Sequence, residues 1–286
     1  MVKYNILIMD TEIINTKKVL SETNISIGDY AINPYRGCEF NCVYCYSKKN
    51  KNLNNFSRIG IKINAPEILE RELHYKNPKR VILGSITECF QYQELKYKLT
   101  EKIIKILNRF NIAYTILTKS HLIEKYLDLI AENKKNEIYF TFNFFSNKII
   151  RTLEKNSPLV SKRIEIIKKI LKKNIRLRIH IGPFIPYLSL LEDIIKNLPE
   201  DIKEINVELY HGKMGNLEDL IKKIQEIDKD LSKKILDVYS NKKNYLNFSK
   251  NLEEEIKKYK EKNYKFCYIV PEFDNFYNYI DYNKFL

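Results

Sequence analysis

The chain lacks several features that define common protein classes. It contains no tryptophan. It also has no run of about 18 uncharged apolar residues, so no segment is predicted to form a membrane-spanning helix. The apolar patch at residues 6–9 is too short for the core of a secretory signal. There is no internal repeat and no linker rich in proline, glycine and serine. These absences predict a globular, cytoplasmic protein with no membrane partner.

Acidic residues are also scarce relative to basic ones. The 36 Asp and Glu residues face 50 Lys and Arg residues, which gives a net charge of +14. Such an excess is compatible with nucleic-acid binding. Much of it is lysine interspersed with glutamate along predicted helix faces, as in residues 253–258, which is typical of solvated surfaces. Nucleic acid is therefore a candidate partner but not the favoured one.

Cysteine is infrequent but clustered. Of five cysteines, Cys38, Cys42 and Cys45 fall within eight residues, while Cys89 and Cys267 stand alone. An odd count with a tight cluster argues against a disulfide framework and favours metal binding in a reducing compartment. The two isolated cysteines are predicted to be small hydrophobic residues of the core.

The spacing of the cluster is C-x3-C-x2-C. Three thiolates on one short loop can hold a cubic [4Fe–4S] cluster and leave one of its four irons open for chemistry. A structural zinc site is the alternative. It would take four ligands, and no fourth Cys or His lies near the three.

Apolar strand-like runs alternate with amphipathic helical segments along most of the chain. Strands are predicted at 29–34, 80–84, 113–117, 137–143, 176–181 and 204–209. Helices are predicted after an Asn64 cap and at 94–109, 121–133, 161–173, 188–197, 217–235 and 252–262. This order requires parallel strands with right-handed crossovers.

The six predicted strand–helix units favour a partial, open (β/α)6 barrel with helices outside. A complete eight-unit barrel usually needs about 250 residues. A doubly wound sheet is the alternative architecture. We expect an N-terminal lead at 1–28, a barrel core at 29–210 and a C-terminal, mostly helical extension at 211–286 that packs on the barrel.

Three of the predicted strands carry apolar residues on one face and polar residues on the other. The polar positions are Arg178 and His180, Thr141 and Asn143, and Asn206 and Glu208. Parallel strands covered on both sides should be apolar on both faces, so the polar faces predict a lined cavity. We expect Arg178 to pair with Glu208 or with a polar or anionic substrate, and Arg178, His180 and Glu208 are the catalytic candidates. An internal ion pair with a structural role is the alternative.

The cysteine motif and its flanks resemble a known family. The run NPYRGCEFNCVYCY at 33–46 has an aromatic residue, Tyr44, before the third cysteine. It is similar to radical S-adenosylmethionine (radical SAM) enzymes of the branch related to spore photoproduct lyase. The likeness continues at ILGSITE (82–88), LTKS (117–120), LEKNSP (153–158) and GPFIP (182–186).

The resemblance implies cofactors and site residues. Cys38, Cys42 and Cys45 would hold a [4Fe–4S] cluster, whose open iron is chelated by S-adenosylmethionine, and Tyr44 would pack near the adenine. The segment after the second strand would bind the methionine amino group, with Glu88 as the carboxylate. Further contacts to the ribose or carboxylate would come from the ends of the next two strands. These implied cofactor contacts are Gly84, Ser85, Thr87, Glu88, Thr118, Lys119, Thr141 and Asn143.

The resemblance also implies the chemistry. Reductive cleavage of S-adenosylmethionine would yield a 5′-deoxyadenosyl radical that abstracts hydrogen from an unknown substrate, with a ferredoxin- or flavodoxin-type electron donor. The alternatives are a DNA repair lyase of the spore-photoproduct type and a non-enzymatic iron–sulfur electron carrier. The repair lyase uses a hydrogen-donor cysteine at the position of Ser85, and Cys89 lies on the other side of the acidic residue.

Overall fold

The computed structural model describes residues 9–49, 58–213, 215–260, 263–274 and 279–281. Its strands are β1 Asp10–Ile14, β2 Ser21–Glu22, β3 Tyr30–Ile32, β4 Tyr35–Arg36, β5 Arg58–Lys62, β6 Arg80–Leu83, β7 Ala113–Thr118, β8 Glu137–Thr141, β9 Arg176–Phe184, β10 Glu204–Leu209, β11 Lys265–Pro271 and β12 Tyr279–Asp281. Its helices are α1 Ala65–Leu73, α2 Glu94–Tyr97, α3 Leu99–Arg109, α4 Leu127–Ala131, α5 Asn147–Leu153, α6 Val160–Lys172, α7 Leu191–Asn197, α8 Leu217–Gln225, α9 Lys229–Val238 and α10 Lys242–Lys260.

The chain divides into two compact units. The first comprises the described residues of segments 1–41, 52–140 and 156–177, and the second those of segments 42–51, 141–155 and 178–286. The predicted boundaries at residues 28 and 210 stay predictions.

The first unit is built on parallel strands in the order β3-β6-β7-β8, with the short β2 antiparallel to β3. A second, smaller sheet has the order β1-β5-β4. Helices connect the parallel strands, as the alternating pattern predicted. The apolar positions of α3 are buried, and Ile103 and Leu107 are fully so.

Two helix predictions in this unit differ from the structure. The predicted helix 94–109 is interrupted because Lys98 adopts a left-handed backbone with φ 52°. The Glu94 carboxylate then accepts hydrogen bonds from the backbone amides of Thr100 (2.9 Å) and Glu101 (3.0 Å) and caps α3. Asn64 does not cap α1, because its side-chain amide bonds instead to the backbone of Thr16.

The second unit has β9, β10 and β11 in parallel order, with β12 antiparallel to β11. Helices α8, α9 and α10 form most of the described part of the final segment. The predicted helix 217–235 is divided into α8 and α9, because the Asp228 side chain accepts from the Leu231 amide at 2.8 Å and starts a new helix, and α10 begins ten residues before the predicted helix 252–262. That segment also adds β11 to the edge of β10, and the apolar run around Cys267 lies in this strand. Helix α5 was not predicted. It begins after Ser146, whose hydroxyl accepts from the Ile149 amide at 3.4 Å.

The α/β architecture with parallel strands is therefore confirmed. In neither unit do the described strands close into a barrel. Among the described helices, none combines the length and the apolarity needed to cross a bilayer.

Candidate active site

The first cysteine of the motif lies in the first unit, on a tightly tethered loop. The Asn41 amide donates to the Cys38 carbonyl at 3.2 Å, and Gly37 has φ 80°, a conformation that glycine adopts readily. Next to Cys38, the Glu39 amide donates to Gln91 Oε1 at 2.8 Å, and the Glu39 carboxylate accepts from the Gln93 amide at 2.9 Å. Burial raises the pKa of Glu39. Cys38 is therefore held against the segment at 91–93.

The other two cysteines lie in the second unit. Cys42 is buried and Cys45 is half-buried, and the Cys45 amide donates to the Cys42 carbonyl at 3.2 Å. Between them, the Val43 amide donates to the Leu153 carbonyl at 2.8 Å. The Cys45 sulfur lies 2.8 Å from the Ser47 hydroxyl. This turn and its tether to the end of α5 fix the backbone between the two sulfurs.

Tyr44 is the most firmly anchored side chain of the motif. It is 4% exposed, and its hydroxyl donates to Glu154, which is fully buried. Asn143 Nδ2 donates to the Tyr44 hydroxyl at 3.0 Å and lies 3.4 Å from the same Glu154 oxygen. Asn143 Oδ1 in turn accepts from the Gly182 amide at 2.9 Å. The network ties the cysteine loop to residues that follow β8 and to β9.

Glu154 was not among the predicted site residues. Its run, LEKNSP, was noted only as part of a family likeness. The one signal in the sequence was that this run contains a carboxylate. Once the structure shows that the carboxylate is fully buried, hydrogen-bond donors must lie near it. Nothing in the local pattern identified Tyr44, 110 residues away, as that donor.

In the first unit, the segment predicted to bind S-adenosylmethionine is shaped by Asn33. Its Oδ1 accepts from the amides of Ile86 (2.9 Å) and Thr87 (3.1 Å), and its Nδ2 donates to the Ser85 hydroxyl at 3.1 Å. Gly84 has φ 84°, and a Cβ there would lie 2.7 Å from the Leu117 carbonyl oxygen. The segment is thus a preformed turn that needs glycine at its first position.

Glu88, Thr118 and Lys119 converge in the same unit. Glu88 Oε1 accepts from the Thr118 hydroxyl at 2.7 Å and the Phe90 amide at 3.0 Å, and Oε2 accepts from the Lys119 amide at 3.1 Å. Burial raises the pKa of Glu88 even though these bonds oppose the shift. A carboxylate has about four acceptor positions. With three of them occupied, Glu88 retains room for about one more donor.

Ser85, the predicted counterpart of the hydrogen-donor cysteine of the repair lyase, accepts a hydrogen bond from Asn33 through its hydroxyl. Cys89 is fully buried, and burial raises the pKa of its thiol well above the ordinary value. A thiol in this state is unreactive. Cys267 is half-buried in β11.

A row of polar side chains follows β9 and β10 in the second unit, as the alternation predicted. Arg178 Nε forms an ion pair at 2.9 Å with Glu204 Oε2, not with Glu208, which lies two layers further along the strand. His180 Nδ1 and Asn206 Nδ2 are 2.8 Å apart, consistent with their direct pairing in the strand register. His180 Nε2 faces Glu208 Oε2 at 3.8 Å.

The environment of His180 and Glu208 is unusual for charged groups. The Glu208 side chain keeps 36% of its surface, yet the surrounding protein desolvates it and raises its pKa to about 7. With the Asn206 amide as donor, His180 Nδ1 is the acceptor, and the ring proton is on Nε2, on the side of Glu208. A Cβ at Gly182 would lie 2.0 Å from His180 Nε2, so this glycine gives the ring its space.

The donor set of the motif fits an iron–sulfur cluster, which takes cysteine sulfur as its ligand. Three cysteines lie within eight residues, one buried and two half-buried. Across the described part of the chain, no group of three His, Cys, Asp or Glu side chains is arranged to hold a metal ion. The assignment of the three cysteines therefore rests on the donor set and on the family.

The family is established by sequence. Residues 32–196 match the model of the radical SAM superfamily, and the chain belongs to that superfamily. It is 31% identical over 186 residues to an uncharacterised protein of Methanocaldococcus jannaschii, which covers 64% of this chain and 70% of that protein. Members of the superfamily use a [4Fe–4S] cluster and S-adenosylmethionine and need a reductant and a substrate. The assignment thus indicates an enzyme.

Solved structures show the same fold at low identity. A single-residue variant of spore photoproduct lyase has a TM-score of 0.57 and 18% identity, covering 70% of this chain and 61% of that chain. SuiB of Streptococcus suis, bound to S-adenosylmethionine, has a TM-score of 0.52 and 16% identity, covering 84% of this chain and 46% of that chain. This chain therefore spans less than two thirds of each of these neighbours.

Proposed function

We propose that this chain is a radical SAM enzyme that holds its cluster on Cys38, Cys42 and Cys45 and abstracts hydrogen from a polar substrate. When bound, the cluster and S-adenosylmethionine supply a 5′-deoxyadenosyl radical for that abstraction. The observation that carries the proposal is the buried Tyr44–Glu154 hydrogen bond. It fixes the cysteine loop in advance, as a cofactor site requires.

The segment at 84–88 is the proposed site for S-adenosylmethionine. The Asn33 side chain holds its backbone in place, and the spare acceptor position of Glu88 suits an ammonium group. Thr87 is buried, and its hydroxyl lies 3.4 Å from the Tyr35 carbonyl, so its contribution is to the shape of the turn. Gly84, Ser85, Thr118, Lys119, Thr141 and Asn143 remain proposed contacts.

The polar row on β9 and β10 is the proposed substrate site, and its members take different roles. Arg178 is neutralised by Glu204, so its proposed role is structural and it is no longer the anchor for an anion. His180 and Glu208 are the proposed proton-transfer pair. A carboxyl group with a pKa near 7 can accept or release a proton at neutral pH.

A lyase reaction of the spore-photoproduct type is not favoured. Ser85 occupies the donor position, and Cys89 is buried with a raised pKa. The electron donor that we propose is a reduced ferredoxin or flavodoxin. Nucleic acid stays a candidate substrate on the net charge of +14 alone.

Anaerobic reconstitution of cysteine variants tests the proposal. Each motif cysteine has a control of similar burial: Cys89→Ala matches Cys42→Ala, and Cys267→Ala matches Cys38→Ala and Cys45→Ala. We expect about four irons per chain in the wild type and in both controls, and loss of iron in the Cys38, Cys42 and Cys45 variants. Zinc in place of iron, or loss of iron in a control, would show that the cluster assignment is wrong.

Release of 5′-deoxyadenosine distinguishes an enzyme from an electron carrier. Reduced, reconstituted wild type should release 5′-deoxyadenosine and methionine slowly without substrate. An intact cluster with no release under strictly anaerobic conditions would favour the electron carrier.

A further inference from the structure

Tyr210, which directly follows β10, has a buried hydroxyl that no described residue satisfies. The side chain is 3% exposed, and its Oη has no hydrogen-bond partner among the described residues. Other buried tyrosines of the same unit are satisfied: Tyr239 donates to the Tyr210 carbonyl at 2.9 Å and Tyr245 to the Pro271 carbonyl at 2.8 Å. A buried hydroxyl normally has a hydrogen-bond partner, so the lack of a described partner for the Tyr210 hydroxyl calls for a functional explanation.

The surroundings of this hydroxyl connect it to the cysteine loop. A Cβ added at Gly215 would lie 2.2 Å from Tyr210 Oη, so the hydroxyl rests directly on that glycine. The next residue, Asn216, donates to the carbonyl of Val43 at 3.3 Å, between Cys42 and Cys45. The Tyr210 hydroxyl is thus one residue removed from a direct tether to the metal-binding loop.

The electrostatics agree with this placement. Burial is the main cause of the raised pKa of Tyr210, and the charge of Cys45 is the next. Both effects disfavour the phenolate, so the hydroxyl stays a neutral hydrogen-bond donor. Asp219 contributes to the same shift, but its Oδ2 accepts from Asn216 at 2.5 Å.

We infer that the Tyr210 hydroxyl donates a hydrogen bond to the Cys45 sulfur when the cluster is bound. This rests on the proposed function, because only a bound cluster makes that sulfur a permanent acceptor. A hydroxyl dipole directed at the cluster stabilises the extra electron of the reduced state. Tyr210 is thus a positioning residue that makes the cluster easier to reduce.

The test is the midpoint potential of the reconstituted Tyr210→Phe variant, measured by an anaerobic redox titration followed by electron paramagnetic resonance. We expect a more negative potential, with an about tenfold shift in the reduction equilibrium, or 59 mV for one electron. Gly215→Ala should shift the potential in the same direction, because its methyl group displaces the hydroxyl.

Tyr268→Phe is the matched control. Its hydroxyl is buried and donates to the Ser249 carbonyl at 3.0 Å. In this variant we expect an unchanged potential and a lower Tm of the metal-free protein. Tyr210→Phe should keep the Tm of the metal-free wild type, because it loses no partner there.

Each result has a separate meaning. A full iron content in Tyr210→Phe with the potential of the wild type would overturn the inference. So would weaker S-adenosylmethionine binding with an unchanged potential, which would reassign the hydroxyl to that ligand. Failure of the wild type to take up iron would instead refute the proposed function.

Discussion

The Tyr44–Glu154 hydrogen bond gives the sharpest prediction about the cysteine loop. Both side chains are buried, at 4% and 0% exposure, and the acceptor is a carboxylate. Truncation in Glu154→Ala removes a charge-assisted bond of about 1.5–3 kcal/mol and leaves the Tyr44 hydroxyl without its acceptor. Asn143 keeps a partner, because its Nδ2 still donates to Tyr44 at 3.0 Å. We therefore expect a loss of about 3 kcal/mol.

A loss of this size is measurable in the metal-free protein. One kcal/mol corresponds to about 2–4 °C for a chain of about 150–250 residues, so the Tm should fall by about 6–12 °C. Iron uptake on reconstitution should also fall, because the backbone between Cys42 and Cys45 loses its anchor.

A double-mutant cycle isolates the pair. Tyr44→Phe removes the donor, Glu154→Ala removes the acceptor, and the double variant gives their coupling energy. We expect about 1–3 kcal/mol, within the range of about 0.5–3 kcal/mol for residues in direct contact. A coupling below about 0.5 kcal/mol would refute the view that this bond organises the loop.

Two further predictions concern the carboxylates Glu208 and Glu88. The pKa of Glu208 rises on folding to about 7, so folding disfavours the ionised carboxylate. The free energy of unfolding of the wild type therefore falls as the pH rises from the ordinary carboxyl range towards 7. Glu208→Gln should therefore match the wild type in Tm near pH 4.5 and exceed it above pH 7; equal Tm values across that range would contradict the raised pKa of this carboxyl group. Glu88→Gln should weaken S-adenosylmethionine binding about ten- to hundredfold, because a charge-assisted bond to the ammonium group contributes about 1.5–3 kcal/mol. Equilibrium binding to the reconstituted protein measures this, and Cys267→Ala, with its half-buried thiol in β11, serves as the control that should bind normally.

The sequence predicted those parts of the fold that depend on periodicity. Parallel strands joined by helices follow from the alternation of apolar runs, and the two faces of β9 follow from a period of two. The interruption at Lys98 could not be predicted in this way, because it depends on the backbone of one residue and on the Glu94 carboxylate. Helix α5 is seven residues long and carries too few apolar positions to show a helical period.

The site was predictable to the extent that its residues are adjacent in sequence. The three cysteines and the turn at 84–88 are local motifs. Pairings between distant residues could not be predicted. The alternation of apolar and polar residues along a strand indicates the face of the sheet on which a side chain lies, but not the residue of the next strand that it contacts. It put Arg178 and Glu208 on one face and predicted their pairing, whereas the partner of Arg178 is Glu204.

The tethers of the cysteine loop have a consequence for biosynthesis. Val43 and Tyr44 bond to Leu153 and Glu154, and the Glu39 carbonyl accepts from Asn156 Nδ2 at 2.6 Å. Tyr44 leaves the ribosome 110 residues before Glu154, a delay of roughly 5–20 s at about 5–20 residues per second. A nascent chain that ends before residue 153 has the cysteines but not the groups that shape their loop. We therefore expect iron delivery to this protein to follow translation of more than half of the chain.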